Sequence, residues 1–241
     1  MASAILLDLD DTLYEEASYM RSGFAAVAAG IAAMTGYAPG AVLDALIDIE
    51  RRDGRGRVFD TALAAFGIAA EPTLVQGLVS LYRTHRPHIA PHPGARDLLA
   101  RLRRRGRRIA IVTDGLPIMQ RRKIEALDLE RAVDAVVYSW ELKAPKPDPA
   151  GFLAALAKLG AAPAEAVVVG DNPYHDMAAA RAIGARSIRV RCGRFATMQA
   201  PAGAEPDLEI AGIGALEAAL DALPASAAGR PVPPPGVAAH A

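Results

Sequence analysis

The chain has 241 residues, enough to bury one substantial core plus a smaller inserted unit, and 52% of them are apolar, which suits a globular protein. Its 27 basic and 27 acidic residues cancel, so no global field draws it to nucleic acid or to an anionic membrane, and any electrostatic function has to be local. The single Cys192 excludes an internal disulfide and reads as a small apolar residue suited to a reducing compartment.

In chain order, AILLDL at 4–9 is a short apolar run that predicts a buried strand. It breaks at Asp8, too early for the apolar region of a signal peptide, and no run approaches the roughly 18 apolar residues of a membrane span. The expectation is a cytoplasmic protein. From 15 to 90 no strand pattern occurs, and EEASYMRSGFAAVAAGIAAM, PGAVLDALIDIERR, VFDTALAAFG and PTLVQGLVSLYRTH read as helices. The proline-rich HIAPHPG at 88–94 leads out of this helical insertion. Four more strands are predicted by RIAIVTDG (108–115), AVVYS (135–139), AVVVGDN (166–172) and SIRVR (187–191). Segments 94–105, 117–127, 149–160 and 174–184 place apolar residues at helical spacing, with Gly106, Gly160 and Gly184 as stops. Strands apolar on both faces, alternating with helices, predict an α/β protein whose parallel sheet is covered on two sides. The expected organisation is a core of residues 1–14 and 91–223, a helical unit over 15–90, and a disordered tail over 224–241, where PASAAGRPVPPPGVAAHA has almost nothing large to bury.

In an open parallel sheet, ligands bind beyond the carboxyl ends of the strands. Asp8 and Asp10 follow the first predicted strand, Thr113, Asp114 and Gly115 the second, and Gly170, Asp171 and Asn172 the fourth, with Asp176 close behind. Lys146, in APKPDP, lies beyond the third. Residues at i and i+2 of an extended chain share a face, so Asp8 and Asp10 can enter one site. Adding Asp171 gives carboxylates that repel one another unless a cation sits among them. Oxygen ligands in such small number suit Mg2+, which keeps several waters, better than a calcium cage. Lys146 would add compensating positive charge, while the Thr113 hydroxyl and the amides after it could hold anionic oxygens.

Asp8-Leu9-Asp10-Asp11-Thr12-Leu13, Thr113-Asp114-Gly115, Lys146-Pro147 and Gly170-Asp171 followed by Asp176 resemble the four ordered motifs of the haloacid dehalogenase-like hydrolase superfamily, over roughly residues 4–200. The helical unit between the first two motifs resembles the cap of its phosphoglycolate phosphatase and phosphoglucomutase-like branch. The resemblance implies a Rossmann-like core with an inserted α-helical cap, and a Mg2+-dependent phosphatase acting on a small phosphorylated metabolite through an aspartyl-phosphate. In it Asp8 would be the nucleophile, and Asp10 the general acid and then the base. Mg2+ would be held by the Asp8 side chain, the Asp10 backbone carbonyl and Asp171, with Asp176 acting through water or by orienting its loop. Thr113, the amides near Asp114 and Gly115, and Lys146 would hold the phosphoryl oxygens. True haloacid dehalogenases generally lack an acid at the position of Asp10, because halide leaves without a proton. A phosphomutase, or a catalytically silent binding protein on the same scaffold, are the alternatives. Two departures stand out: Asp114 occupies a position where asparagine is commoner, and Lys143 one where glycine is frequent.

Other features carry blander readings. In ERRDGRGRVFD (50–60), Arg55 or Arg57 could hold a second anionic group of a substrate, against the alternative of a solvated loop. His85, His88 and His92 match no zinc spacing. The run Arg101, Arg103, Arg104, Arg105, Arg107 and Arg108 reads as a solvated helix end rather than a nucleic-acid surface. Asp176 also fits a first-turn helix acid, and Asn172 an N-cap.

Overall fold

Four consecutive apolar residues, Ala4–Leu7, are buried on both faces and form β1 at the centre of a parallel sheet. The computed structural model describes residues 3–223, and the tail expected at 224–241 lies outside the described residues. After β1 come α1 (Glu16–Thr35), α2 (Pro39–Asp53), α3 (Val58–Ala65) and α4 (Pro72–Thr84). The chain continues through α5 (Ala95–Arg104), β2 (Arg108–Thr113), α6 (Pro117–Ala126), β3 (Ala135–Tyr138), α7 (Ala150–Leu159) and β4 (Ala166–Gly170). It ends with α8 (Ala178–Ile183), β5 (Arg186–Val190), β6 (Leu208–Ile210) and α9 (Leu216–Ala222). No helix among the described residues is long and apolar enough to cross a membrane.

The chain divides into two compact units, one of residues up to 16 and from 90 onward, the other Ala17–Ile89. In the first, the six strands among the described residues run parallel in the order β3-β2-β1-β4-β5-β6. Leu6, Val112 and Val168 pack with Phe152 and Leu156 of α7 and Ile183 of α8. Ile5, Leu7, Ile111 and Val169, which alternate with them along the strands, are equally buried, as a sheet covered on both faces requires. From β1 the chain builds outward through β2 and β3, then returns past β1 to start β4. The strand order therefore reverses beside β1, and register pairs Leu7 with both Ile111 and Val169. The residues following β1, β2 and β4 thus emerge on one rim at the switch point of the sheet, where α/β folds bind ligands.

The second unit is helical throughout its regular structure. Phe24, Val27 and Ile31 of α1 recur at helical spacing and bury against Val42, Leu46 and Ile49 of α2, Val58 and Leu63 of α3, and Leu78 of α4.

Three features differ from the sequence expectation. The helix expected at 174–184 opens as a π-helical turn, Pro173–Met177, before α8 begins. β6 and α9 lie beyond the last predicted strand. The arginine run ends against protein as well as solvent: Arg101 Nε donates to Glu217 at 3.0 Å and Arg105 pairs with Glu217 and Asp221 of α9. Arg103 pairs with Asp134 at 2.8 Å, and Arg108 donates to the carbonyls of Leu159 and Gly160.

Candidate active site

Asp8 is the first residue past β1, and its backbone N–H still bonds the Val169 carbonyl at 2.8 Å, so its side chain projects from the rim at a fixed point. Lys146 Nζ donates to Asp8 Oδ1 at 2.5 Å and to Asp176 Oδ1 at 2.7 Å, with all three residues buried. Carboxylate oxygens of Asp8, Asp171 and Asp176 lie within 4.8 Å of one another. Asp176 reaches this point through the π-helical turn, its Oδ2 accepting the Asn172 backbone N–H at 3.2 Å. Gly170 makes that possible: a Cβ there would stand 2.3 Å from Asp176 Oδ2 and 2.8 Å from its Cβ. Asn172 caps the turn, its Oδ1 accepting from Tyr174 N at 2.9 Å and His175 N at 3.3 Å. Asp176, which also fits a first-turn helix acid by sequence, is thus a full member of the cluster.

One ammonium faces three carboxylates, and the charges do not balance. Burial, helped by the charges of Asp176 and Asp10 and opposed by Lys146, pushes the Asp8 carboxyl up to about 8. Burial, with the charges of Asp8, Asp176 and Asp11, pushes Asp171 up to about 9. For Lys146 burial works against the charge, but Asp176 and Asp8 outweigh it and raise the ammonium above its ordinary value. The excess negative charge and the all-oxygen donor set fit a hard divalent cation with few protein ligands, as Mg2+ prefers.

Asp10 faces a second set of groups. Its Oδ1 accepts Lys123 Nζ at 2.7 Å and the Tyr14 hydroxyl, and its Oδ2 accepts Gln120 Nε2 at 2.8 Å. Burial alone would raise this carboxyl; the Lys123 charge and the three hydrogen bonds outweigh it and hold Asp10 below the ordinary carboxylate range. Thr113 ends β2 and is 1% exposed, its Oγ1 accepting the other Gln120 N–H at 2.5 Å. Tyr14, Gln120 and Lys123 escaped the reading of the sequence. The latter two had a signal: with Ile124 and Leu127 they occupy i, i+3, i+4 and i+7, the stripe that faces the core, where polar residues need partners.

Asp114 is turned to a structural task. Its Oδ2 accepts the Lys146 backbone N–H at 2.9 Å, which ties the second motif to the third. Gly115 follows at φ 114°, facing the Gln120 side chain. Lys143 adopts φ 55°, the left-handed region, at the position where glycine is frequent. Cys192 donates its thiol to the Asp11 carbonyl at 2.5 Å, and burial beside Asp171, Asp11 and Asp8 pushes that thiol up to about 12, which keeps it protonated. Arg55 and Arg57 belong to the helical unit, where Arg55 pairs with Glu50 at 3.4 Å and Arg57 with Asp60 at 3.3 Å.

Comparison with known proteins agrees with this geometry. A family model described as haloacid dehalogenase-like hydrolase matches residues 2–184. The chain is 32% identical over 219 residues to a glyceraldehyde 3-phosphate phosphatase of Methanopyrus kandleri, covering 87% of this chain and 93% of that protein. It is 39% identical over 139 residues to a phosphoserine phosphatase of Thermus thermophilus, covering 58% of this chain and 55% of that one. Among solved structures, a 2-haloacid dehalogenase from Pseudomonas syringae superposes with a TM-score of 0.63 at 25% identity, covering 92% of this chain and 99% of that one.

Proposed function

The chain belongs to the haloacid dehalogenase-like hydrolase family, and from that premise we propose that it is a phosphatase that hydrolyses a small phosphate monoester through a phosphoryl group carried on Asp8. The observation that carries the reading is the convergence of Asp8, Lys146, Asp171 and Asp176, which come from the ends of two strands, the segment after β3 and a π-helical turn onto one point of the rim. The two phosphatases reported above support the same reaction class.

Asp8 attacks phosphorus as its carboxylate oxygen, with Lys146 fixing Oδ1 and neutralising charge beside it. Asp10 protonates the leaving oxygen and then takes a proton from water, which attacks phosphorus and restores the Asp8 carboxylate. Its lowered pKa in the ligand-free site suits the second step, and the negative charge of the bound ester raises it for the first. Lys146 and the Thr113 hydroxyl hold phosphoryl oxygens, with the amides at Asp114 and Gly115 alongside. Asp8, Asp171, Asp176 and the Asp10 carbonyl would hold Mg2+, which when bound supplies charge stabilisation to the transferring phosphoryl group. In this reading residues 15–90 are the helical cap unit and residues 1–14 and 91–223 the catalytic core, and the tail plays no part. The protein works in the cytoplasm, and neither nucleic acid nor membrane is a partner.

The acid at Asp10 favours phosphate esters over haloacids, because an alkoxide needs a proton to leave and a halide does not. In the cap, Arg55 or Arg57 holds a second anionic group of the substrate. Arg55→Ala and Arg57→Ala are then expected to raise KM for an anionic ester with little change in kcat; unchanged KM in both removes this part.

The test is release of inorganic phosphate from a panel of esters, including glyceraldehyde 3-phosphate, phosphoserine and phosphoglycolate, with Mg2+ and again with EDTA. Turnover of at least one ester that EDTA abolishes is expected. Failure on the whole panel would support a silent binding protein, and an isomerised sugar phosphate in place of free phosphate would support a mutase.

A further inference from the structure

We propose that Gln120 and Lys123 are positioning residues that decide which oxygen of Asp10 handles the proton and how the Thr113 hydroxyl points, a proposal that rests on the phosphatase reading above. The two lie at i and i+3 of α6 and so share one face of the helix. They are 2% and 4% exposed, whereas Arg121 and Glu125 of the same helix point to solvent. Burying an amide and an ammonium is costly unless each finds partners, and both find the same carboxylate.

The arrangement is asymmetric at Asp10. Oδ1 accepts from Lys123 Nζ at 2.7 Å and from the Tyr14 hydroxyl, so both its lone pairs are engaged. Oδ2 accepts from Gln120 Nε2 at 2.8 Å, which leaves it one lone pair for a proton. The second N–H of Gln120 goes to Thr113 Oγ1 at 2.5 Å. A hydroxyl that accepts there keeps its own proton to donate to an anionic oxygen. One amide thereby aligns the group that handles the leaving oxygen with a group that faces the phosphoryl oxygens, across two motifs 103 positions apart, from Asp10 to Thr113.

In the transfer step, Asp8 bonds to phosphorus as the ester P–O bond breaks. The electron pair of that bond stays on the leaving oxygen, which takes the proton from Asp10 Oδ2. In the second step, water returns a proton to Oδ2 as its oxygen bonds to phosphorus, and the P–O bond to Asp8 breaks with its electron pair on the carboxylate. A misplaced Asp10 therefore harms the first step most when the leaving oxygen is strongly basic. A merely structural role for Lys123 and Gln120 would harm all esters alike.

The experiment measures kcat/KM, which covers departure of the leaving group, for phenyl phosphate and 4-nitrophenyl phosphate with the full-length protein and Mg2+. Phenolate is the more basic leaving group. Lys123→Met is expected to lower kcat/KM on the order of 10²-fold for phenyl phosphate and about tenfold for the nitrophenyl ester. Gln120→Met, which leaves the ion pair in place, is expected to discriminate in the same direction to a smaller degree, and it carries the test if Lys123→Met fails to fold. Lys123→Arg retains the charge and is expected to restore the wild-type ratio between the two esters. Equal losses on both esters, or no loss, in an active background overturn this proposal alone. Wild-type protein that hydrolyses neither these esters nor any ester of the panel above overturns the phosphatase reading beneath it. If only the panel esters are turned over, the same variants are compared on two of those with leaving groups of different basicity, and equal losses again overturn this proposal.

Discussion

Lys146 and Asp8 are 138 positions apart in the chain and 2.5 Å apart at Nζ and Oδ1. The same ammonium also meets Asp176, so it is the positive centre of a buried cluster whose acids outnumber it. Removing one partner from a buried ion pair strands the others. Lys146→Met is therefore expected to lower the stability of the Mg2+-free protein by roughly 3–5 kcal/mol, read from its urea midpoint, and added Mg2+ should recover part of the loss. A midpoint equal to wild type without Mg2+ would mean that the lysine compensates nothing. At this scale the sequence pointed to candidates at the strand ends: Asp8 and Asp171 follow apolar runs and Thr113 ends one, and the structure brings all three to the same rim. It was less telling on α6, where only the helical stripe that Gln120 and Lys123 share with Ile124 and Leu127 hinted at their burial. Gln120 and Lys123 belong to a segment with few large apolar residues, and only the partner across the rim, Asp10, shows why they are buried.

At the scale of elements, the sheet positions the site and α7 holds the sheet. Phe152 of α7 is fully buried among Val112, Leu156 and Val168, with Lys146 Nζ 5.3 Å from its ring centre. Phe152→Ala is expected to cost about 3–5 kcal/mol in denaturant unfolding, because it removes a large side chain from a packed core. A loss below about 1 kcal/mol would mean that neighbours collapse into the space. Five strands were legible because each is a short run rich in apolar residues between turn signals, although β3 is only partly buried. β6 was not: Leu208–Ile210 is three residues long, with Glu209 exposed between partly and fully buried neighbours, too short for a period to register. The π-helical turn at Pro173–Met177 was hidden for another reason. Its apolar spacing passes for an ordinary helix, and the added width reflects the pull of Asp176 towards Lys146 and the Asn172 N–H, a tertiary demand.

For the whole molecule, the crowding of buried acids at the rim makes stability depend on pH, and on metal too under the proposed Mg2+ reading. Asp8 and Asp171 titrate near 8 and 9 when folded, against 3.8 when exposed, so between these values the folded state binds more protons than the unfolded chain. Stability that these groups contribute is fully present below about pH 4 and is lost as pH rises through 8 to 9. Mg2+ held by this cluster, as proposed, would compete with those protons. The Tm of the Mg2+-free protein is expected to carry a falling contribution from pH 6 to pH 9, and the gain in Tm on adding Mg2+ is expected to grow over the same range. A Mg2+ shift that is constant or shrinks with rising pH would remove the carboxylate cluster as the binding site.

The most direct measurement is to quench turnover of a hydrolysed ester in acid and examine the peptides by mass spectrometry. One phosphoryl group is expected on the peptide that contains Asp8, present only with Mg2+ and substrate, and absent together with turnover in Asp8→Asn. Phosphate release that continues in Asp8→Asn, or a phosphoryl group found on a different residue, would contradict the assignment of Asp8.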